Sequence, residues 1–307
     1  MAAINSDMPF IRNLASSDRK TRTAALQSLR TFLSASTATS RLSAVDNLKL
    51  WKGLYYSLWM CDRALPQQSL CSELADLIDS LQPAYDPHDT SDIDGKKAAM
   101  VVGGWLAAFW ETLGREWTSI DALRLDKFLL LVRRVLGASL KWAACLDDTD
   151  ADINTEELEM NSSGGSSRTR ASARRDALLS NLAAWPLDVS SDLSRMPVGL
   201  RLHVLDIWVD EAEKLGLLDD DDDDAISTET EKRTTSSAGR ELIDGLRLLV
   251  EAQSKSTCKP VRLRAKESLK DERLPWNQED EAAGDDEVKR SAGAGSGDGD
   301  GWDGFDD

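Results

Sequence analysis

The chain is predicted to be all-α: a HEAT-like α-solenoid or an irregular helical bundle of antiparallel helix pairs, followed by a disordered acidic C-terminal tail. Three observations predict this. Apolar residues from Pro9 to about Leu217 recur at three- and four-residue spacing, alternating β-branched runs are almost missing, and helix-opening residues such as Asp18 and Pro66 stand at the head of apolar runs. The letters carry no clear fixed-period repeat, yet successive helix pairs of this length are what a solenoid stacks.

The elements follow in order. After a short first helix from Pro9, Ser17 and Asp18 are N-cap types ahead of Ala25, Leu26, Leu29 and Leu33, which mark an amphipathic second helix. A third runs from about Ser43 to Cys61. Pro66 sits in the first turn of a fourth, which ends before Pro83. A fifth is expected over Lys96–Arg115 and a sixth over Ile120–Leu146. The polar stretch Asp147–Arg170 reads as a solvated loop, helix resumes over Arg174–Ala184, and Pro186 stops it. Pro197 then opens an apolar helix through Leu217, with Leu200, Val204, Ile207 and Trp208 on one face. Four segments are expected: a helical scaffold domain over 1–217, an acidic linker over 218–238, a C-terminal helix with a basic segment over 239–276, and a disordered acidic, Gly-rich tail over 277–307.

The formal charge of -17 is unevenly placed. Asp219–Asp224 contributes -6 and residues 277–307 contribute -9, which leaves the rest close to neutral. The helical part therefore need not repel phosphate. Four cysteines without a Cys-x-x-Cys pair, and only two histidines, argue against a zinc site and for free thiols in a reducing compartment. The longest apolar run, Ala98–Trp110, has 13 residues, short of the ~20 that span a bilayer. No cofactor, metal, membrane association or small-molecule substrate is expected. Ser57, Ser119 and Cys61 lack the base and orienting group that a nucleophile needs, so an enzyme is not expected. Asp219–Asp224 lacks the glycine turn of a calcium loop and reads as linker.

Basic residues give the candidate contacts. Asp121 and Arg124 are spaced for an intrahelical pair, whereas Arg133 and Arg134 have no acid three or four residues on and are candidates for RNA phosphate or an acidic partner. Lys255, Lys259, Arg262, Arg264, Lys266, Lys270 and Arg273 outnumber Glu267, Asp271 and Glu272, the strongest basic density in the chain. A solvated helix face is the plainer reading of that segment. Any RNA contact should depend on phosphate and shape, since no base-reading motif is present.

Two blocks carry a resemblance. Lys49–Arg63 reads Lys-Leu-Trp-Lys-Gly-Leu-Tyr-Tyr-Ser-Leu-Trp-Met-Cys-Asp-Arg, followed by Pro66, Gln67 and Gln68. Phe109–Val135 contains Phe109-Trp110, Arg115-Glu116-Trp117-Thr118, Ile120-Asp121 and Leu123-Arg124-Leu125-Asp126-Lys127-Phe128. In this order they resemble the ribosomal RNA-processing protein 1 family; Phe10–Leu26 and Gly199–Glu213 look like further family segments. The signature positions Trp51, Lys52, Trp59, Asp62, Arg115, Trp117, Asp121, Arg124, Asp126 and Lys127 are expected to be structural. Core packing is expected for Trp51 and Trp59, a partner-binding aromatic patch being the alternative. The resemblance implies a non-catalytic ribosome biogenesis factor in the nucleolus of the nucleus. It would scaffold pre-60S particles and support rRNA processing through pre-60S assembly factors, ribosomal proteins and pre-rRNA. An acidic chaperone or adaptor for basic ribosomal proteins or histones is the alternative.

Overall fold

The computed structural model describes residues 9–35, 42–81, 95–146, 163–190, 192–218 and 229–278. Among them are eleven α-helices and no strand: α1 (Pro9–Leu14), α2 (Arg19–Leu33), α3 (Ala44–Trp59), α4 (Ala64–Ala75), α5 (Leu77–Ser80), α6 (Lys96–Glu116), α7 (Ala122–Ala143), α8 (Ser163–Ala184), α9 (Val198–Lys214), α10 (Glu229–Gln253) and α11 (Lys259–Ser268). The Asp219–Asp224 run and the tail from residue 279 onward lie outside the described residues.

Helix starts follow local chemistry. Asp18 accepts the Thr21 amide at 2.9 Å, Ser43 and Asp46 form a reciprocal capping box, and Asp121 accepts the Arg124 amide at 3.1 Å. Pro260 falls in the first turn of α11, where its missing N–H has no role. Two starts differ from expectation. α8 begins at Ser163 rather than near Arg174, and α10 at Glu229 rather than Gly239. Extending a helix whose far half is packed requires fixing only one residue per hydrogen bond, so polar residues are recruited upstream of the apolar pattern. The expected fourth helix is divided at Asp76 into α4 and α5.

In chain order the helices fall into five successive pairs, α1 with α2, α3 with α4–α5, α6 with α7, α8 with α9, and α10 with α11, whose members divide between two layers. First members form one layer, in which α1 meets α3, α3 meets α6, α6 meets α8 and α8 meets α10. Second members form the other, α4 against α7, α7 against α9 and α9 against α11, with α2 resting on α5. This is the HEAT-like arrangement. One continuous apolar core runs between the layers from Leu14 to Leu274.

Aromatic residues fill the centre. Trp51 donates its indole N–H to the Trp105 carbonyl at 3.0 Å and packs on the Trp105 and Phe109 rings at 4.9 and 4.8 Å. Tyr55 stacks on Phe128 at 4.7 Å, joining α3 to α7. Such ring pairs contribute roughly 0.5–1.5 kcal/mol each beyond the area they bury. The connection between α8 and α9 is held from within: Arg201, only 1% exposed, donates to the carbonyls of Met196 and Asp188 at 3.2 and 2.6 Å. Gln253 donates to Leu187 O at 2.5 Å from the end of α10.

Candidate nucleic-acid interface

The basic segment lies on the last helix of the stack. Val261 and Ala265 of α11 are buried, and α11 packs against α9 and α10. At ~100° per residue, Lys259 and Lys266 then point away from the core, and Lys270 follows in the turn after the helix. All three are exposed, as is Lys255 in the preceding turn, and Leu263 stands among them at 49% exposure. None of the four lysines has an ion-pair partner among the described residues.

The arginines of the same segment are used differently. Arg262 turns back to the Ser256 carbonyl at 2.6 Å and so closes the turn before its own helix. Arg264 pairs with Asp206 of α9 and with Glu267 at 3.2 Å. Arg273 meets Asp210 at 3.1 Å, Glu213 at 2.5 Å and Asp271 at 2.7 Å. Burial pushes the Asp210 carboxyl up, but the hydrogen bonds from Arg273 and Arg133 outweigh it and hold it below its ordinary 3.8. Asp271 is also lowered, chiefly by the Arg273 hydrogen bond. The planar fork of arginine suits fixed carboxylates, whereas the flexible lysine stem leaves its ammonium in water. Of seven basic candidates in this segment, the lysines alone face outward unpaired.

Arg133, which has no acid three or four residues on along its own helix, pairs with acids of another helix. Its guanidinium bonds Glu211 at 3.0 Å and Asp210 at 3.1 Å, residues 78 and 77 positions away on α9. Asp210 is thus shared by Arg133 and Arg273, which ties α7, α9 and the segment after α11 together. Arg134 is exposed and has no ion pair among the described residues, but it stands on α7 rather than α11.

The signature residues converge on the end of α3. Lys127, 5% exposed on α7, donates to the Trp59 and Cys61 carbonyls at 2.8 and 2.9 Å. Gln67 donates to Cys61 O at 2.7 Å, and Arg22 reaches Met60 O at 3.4 Å. Three cationic or amide donors therefore close the negative end of the α3 dipole. Burial holds the Lys127 pKa below its ordinary 10.5 despite the Asp62 charge nearby. Arg124 pairs with Asp121 and lies over the Trp59 ring at 4.7 Å. Trp51 is buried and Trp59 half-buried. Lys52 pairs with Glu116, and Arg115 with Glu111. Trp117 packs against Gly199, where a Cβ would stand 3.3 Å from its indole nitrogen. Asp62 and Asp126 are exposed.

Other features carry less. An open groove of about 660 Å³ between α1, α3 and α6 has Lys49, Lys52 and Arg115 at its rim, and these already face Asp46, Glu116 and Glu111. Burial and the neighbouring Cys61 raise the Cys71 thiol to about 12, which keeps it protonated and inert. His203 is lowered by burial, and its ring nitrogen is 3.0 Å from Leu129 O. Among the described residues no three His, Cys, Asp or Glu side chains gather as a metal site, and no helix is long and apolar enough to cross a membrane.

Sequence reading also missed the anchor after α11. Trp276 donates to Leu269 O at 3.2 Å, and Asn277 donates to Leu269 O and Asp271 O at 3.0 and 2.7 Å. Arg247 of α10 covers the Trp276 ring at 4.6 Å. The only letters that could have signalled it are an aromatic and an Asn after Pro275, at the edge of acidic sequence.

A family model described as "Nucleolar protein, Nop52" matches residues 5–300. Among curated proteins, the chain is 30% identical over 213 residues to human ribosomal RNA processing protein 1 homolog B, which covers 69% of this chain and 23% of that protein. It is 31% identical over 212 residues to human ribosomal RNA processing protein 1 homolog A, covering 68% of this chain and 37% of the relative. The mouse homolog A is 30% identical over 212 residues, 68% of this chain and 35% of its own. The matched part therefore spans well under half the length of each relative.

Proposed function

The chain belongs to the Nop52 family of nucleolar proteins, and on that premise we propose that it is a non-catalytic ribosome biogenesis factor of the nucleolus, a helical scaffold for pre-60S particles. Its stacked helix pairs hold assembly factors and ribosomal proteins, while the lysine face of α11 contacts pre-rRNA phosphate. The names of the relatives, ribosomal RNA processing proteins, support the rRNA connection. The observation that carries the RNA contact is the division of labour on and beside α11: the arginines there are tied into the fold and the lysines are not. Phosphate contacts of this kind position a protein on RNA without reading bases.

Ultraviolet crosslinking and purification of the tagged full chain from nucleoli test this reading. Crosslinks to large-subunit precursor RNA at residues 255–270 are expected. Recovery of small-subunit precursors alone, or cleavage of RNA by the purified chain, overturns it. The -9 charge of residues 277–307 favours a second reading, an acidic chaperone for basic ribosomal proteins. Deleting residues 279–307 separates the two: particle association survives under the first and collapses under the second.

A further inference from the structure

We propose that the acidic segment directly after the fold, residues 279–287, docks on the lysine face of α11 and competes with phosphate for it. Three observations meet here. Lys259 and Lys266 on α11, with Lys255 and Lys270 in the turns before and after it, are exposed and have no anionic partner among the described residues. The sequence then supplies two acidic triplets, Glu279-Asp280-Glu281 and Asp285-Asp286-Glu287, with no base between them. The exit of the chain is pinned beside Lys270. Trp276 and Asn277 hydrogen-bond to Leu269 O, the carbonyl adjoining Lys270, and Gln278 donates to Arg273 O at 3.1 Å.

Dimensions agree with this. Glu279 and Glu287, eight residues apart, span at most ~27 Å of extended chain. Lys270 and Lys259, eleven residues apart at helical rise, lie ~17 Å from each other along the axis. An extended segment of this length is therefore long enough to follow the face from Lys270 to Lys259. Tethering within so few residues gives an effective concentration in the ~mM range, so weak screened contacts suffice for occupancy at low salt. Arg262, Arg264 and Arg273 cannot serve as the docking cations, since each is already engaged within the fold. The consequence is selectivity. A dense phosphate array such as folded RNA displaces the segment, whereas isolated anions do not. This competitive consequence rests on the phosphate-binding reading given above; the docking itself does not.

The test uses the full chain and two variants of it. In the first, Glu279→Gln, Asp280→Asn, Glu281→Gln, Asp285→Asn, Asp286→Asn and Glu287→Gln are combined; in the second, Lys255, Lys259, Lys266 and Lys270 are each changed to Gln. Zero-length carbodiimide coupling of the unmodified chain is expected to join Lys266 or Lys270 to residues 279–287, read by peptide mass spectrometry, and to lose that product in 0.5 M salt on the order of the screening expected there. Binding to a short RNA duplex at low salt is expected to tighten roughly tenfold in the acid-neutralised variant. That gain should vanish when the lysine changes are added. Absence of the intramolecular product together with unchanged duplex affinity in the acid-neutralised variant overturns the docking. If the product forms but the lysine changes leave duplex binding intact, the docking stands and the phosphate-binding reading falls.

Discussion

Replacing Lys127 by Met removes the ammonium that closes α3 while keeping a stem of similar length. In the folded chain that ammonium is the hydrogen-bond donor to Trp59 O at 2.8 Å and one of two donors to Cys61 O. After the change Cys61 O keeps Gln67, but Trp59 O loses this side-chain donor in a partly buried setting, which costs ~1–3 kcal/mol. Relief of burying a charge offsets a part of this, so the net loss is about 1 kcal/mol. At ~2–4 °C per kcal/mol for a chain of this class, Tm falls by about 2–4 °C. Urea denaturation followed by circular dichroism measures it directly. A second variant, Gln67→Ala, sharpens the argument, because only the double variant strips both donors from Cys61 O; a coupling of ~1 kcal/mol between the two sites is expected. Unchanged stability of Lys127→Met, or strict additivity with Gln67→Ala, refutes the view that these side chains jointly cap the helix.

Three further outcomes are expected. Gly114→Ala places a Cβ 2.6 Å from the Arg195 carbonyl, a backbone atom that cannot swing aside, and lowers the urea midpoint by the equivalent of ~1–3 kcal/mol. Asp210 and Asp271 have folded pKa values below their ordinary 3.8, so the stability they lend is complete above that value and is lost as pH falls through the folded pKa. Arg273→Met should therefore flatten the acid limb of stability below about pH 4, read as midpoint against pH; a limb identical to that of the unmodified chain refutes the assignment. Lys259→Gln, Lys266→Gln and Lys270→Gln together should leave thermal stability within ~0.5 kcal/mol. The same variant should reduce the salt dependence of duplex binding by about two to three units of log-log slope; loss of folding or an unaltered slope contradicts the reading of these side chains as solvent-facing phosphate contacts.

What was legible in the sequence was what depends on neighbours along the chain. Asp18, Ser43 and Asp121 cap helices through amides three residues on, so their roles follow from local letters. The burial of Trp51 and Trp105 follows from apolar spacing in the same way. The upstream reach of α8 was hidden, because Ser, Gly and Arg at 163–170 signal loop until the packed half of the helix recruits them. The partners of Arg133 were hidden, since its acids lie on another helix and spacing within α7 carries no trace of Asp210 or Glu211. Lys127 was expected to be structural as a family-signature position, but its neighbours along the chain carry no trace of the Trp59 and Cys61 carbonyls it bonds at the end of α3. On α11 the letters showed a basic cluster, but only packing against α9 separated the arginines that are bound from the lysines that are not.

Pairwise stacking also sets where the molecule breathes. Among the described residues the α6–α7 and α8–α9 pairs are flanked on both sides, whereas α1–α2 and α10–α11 each lean on one neighbouring pair. In such one-dimensional arrays, local opening propagates inward from the ends. Amide exchange should accordingly be slowest in α6 and α7 and quicken toward either terminus, and the salt links of Arg273 to Asp210 and Glu213 act as a latch that slows fraying at the far end.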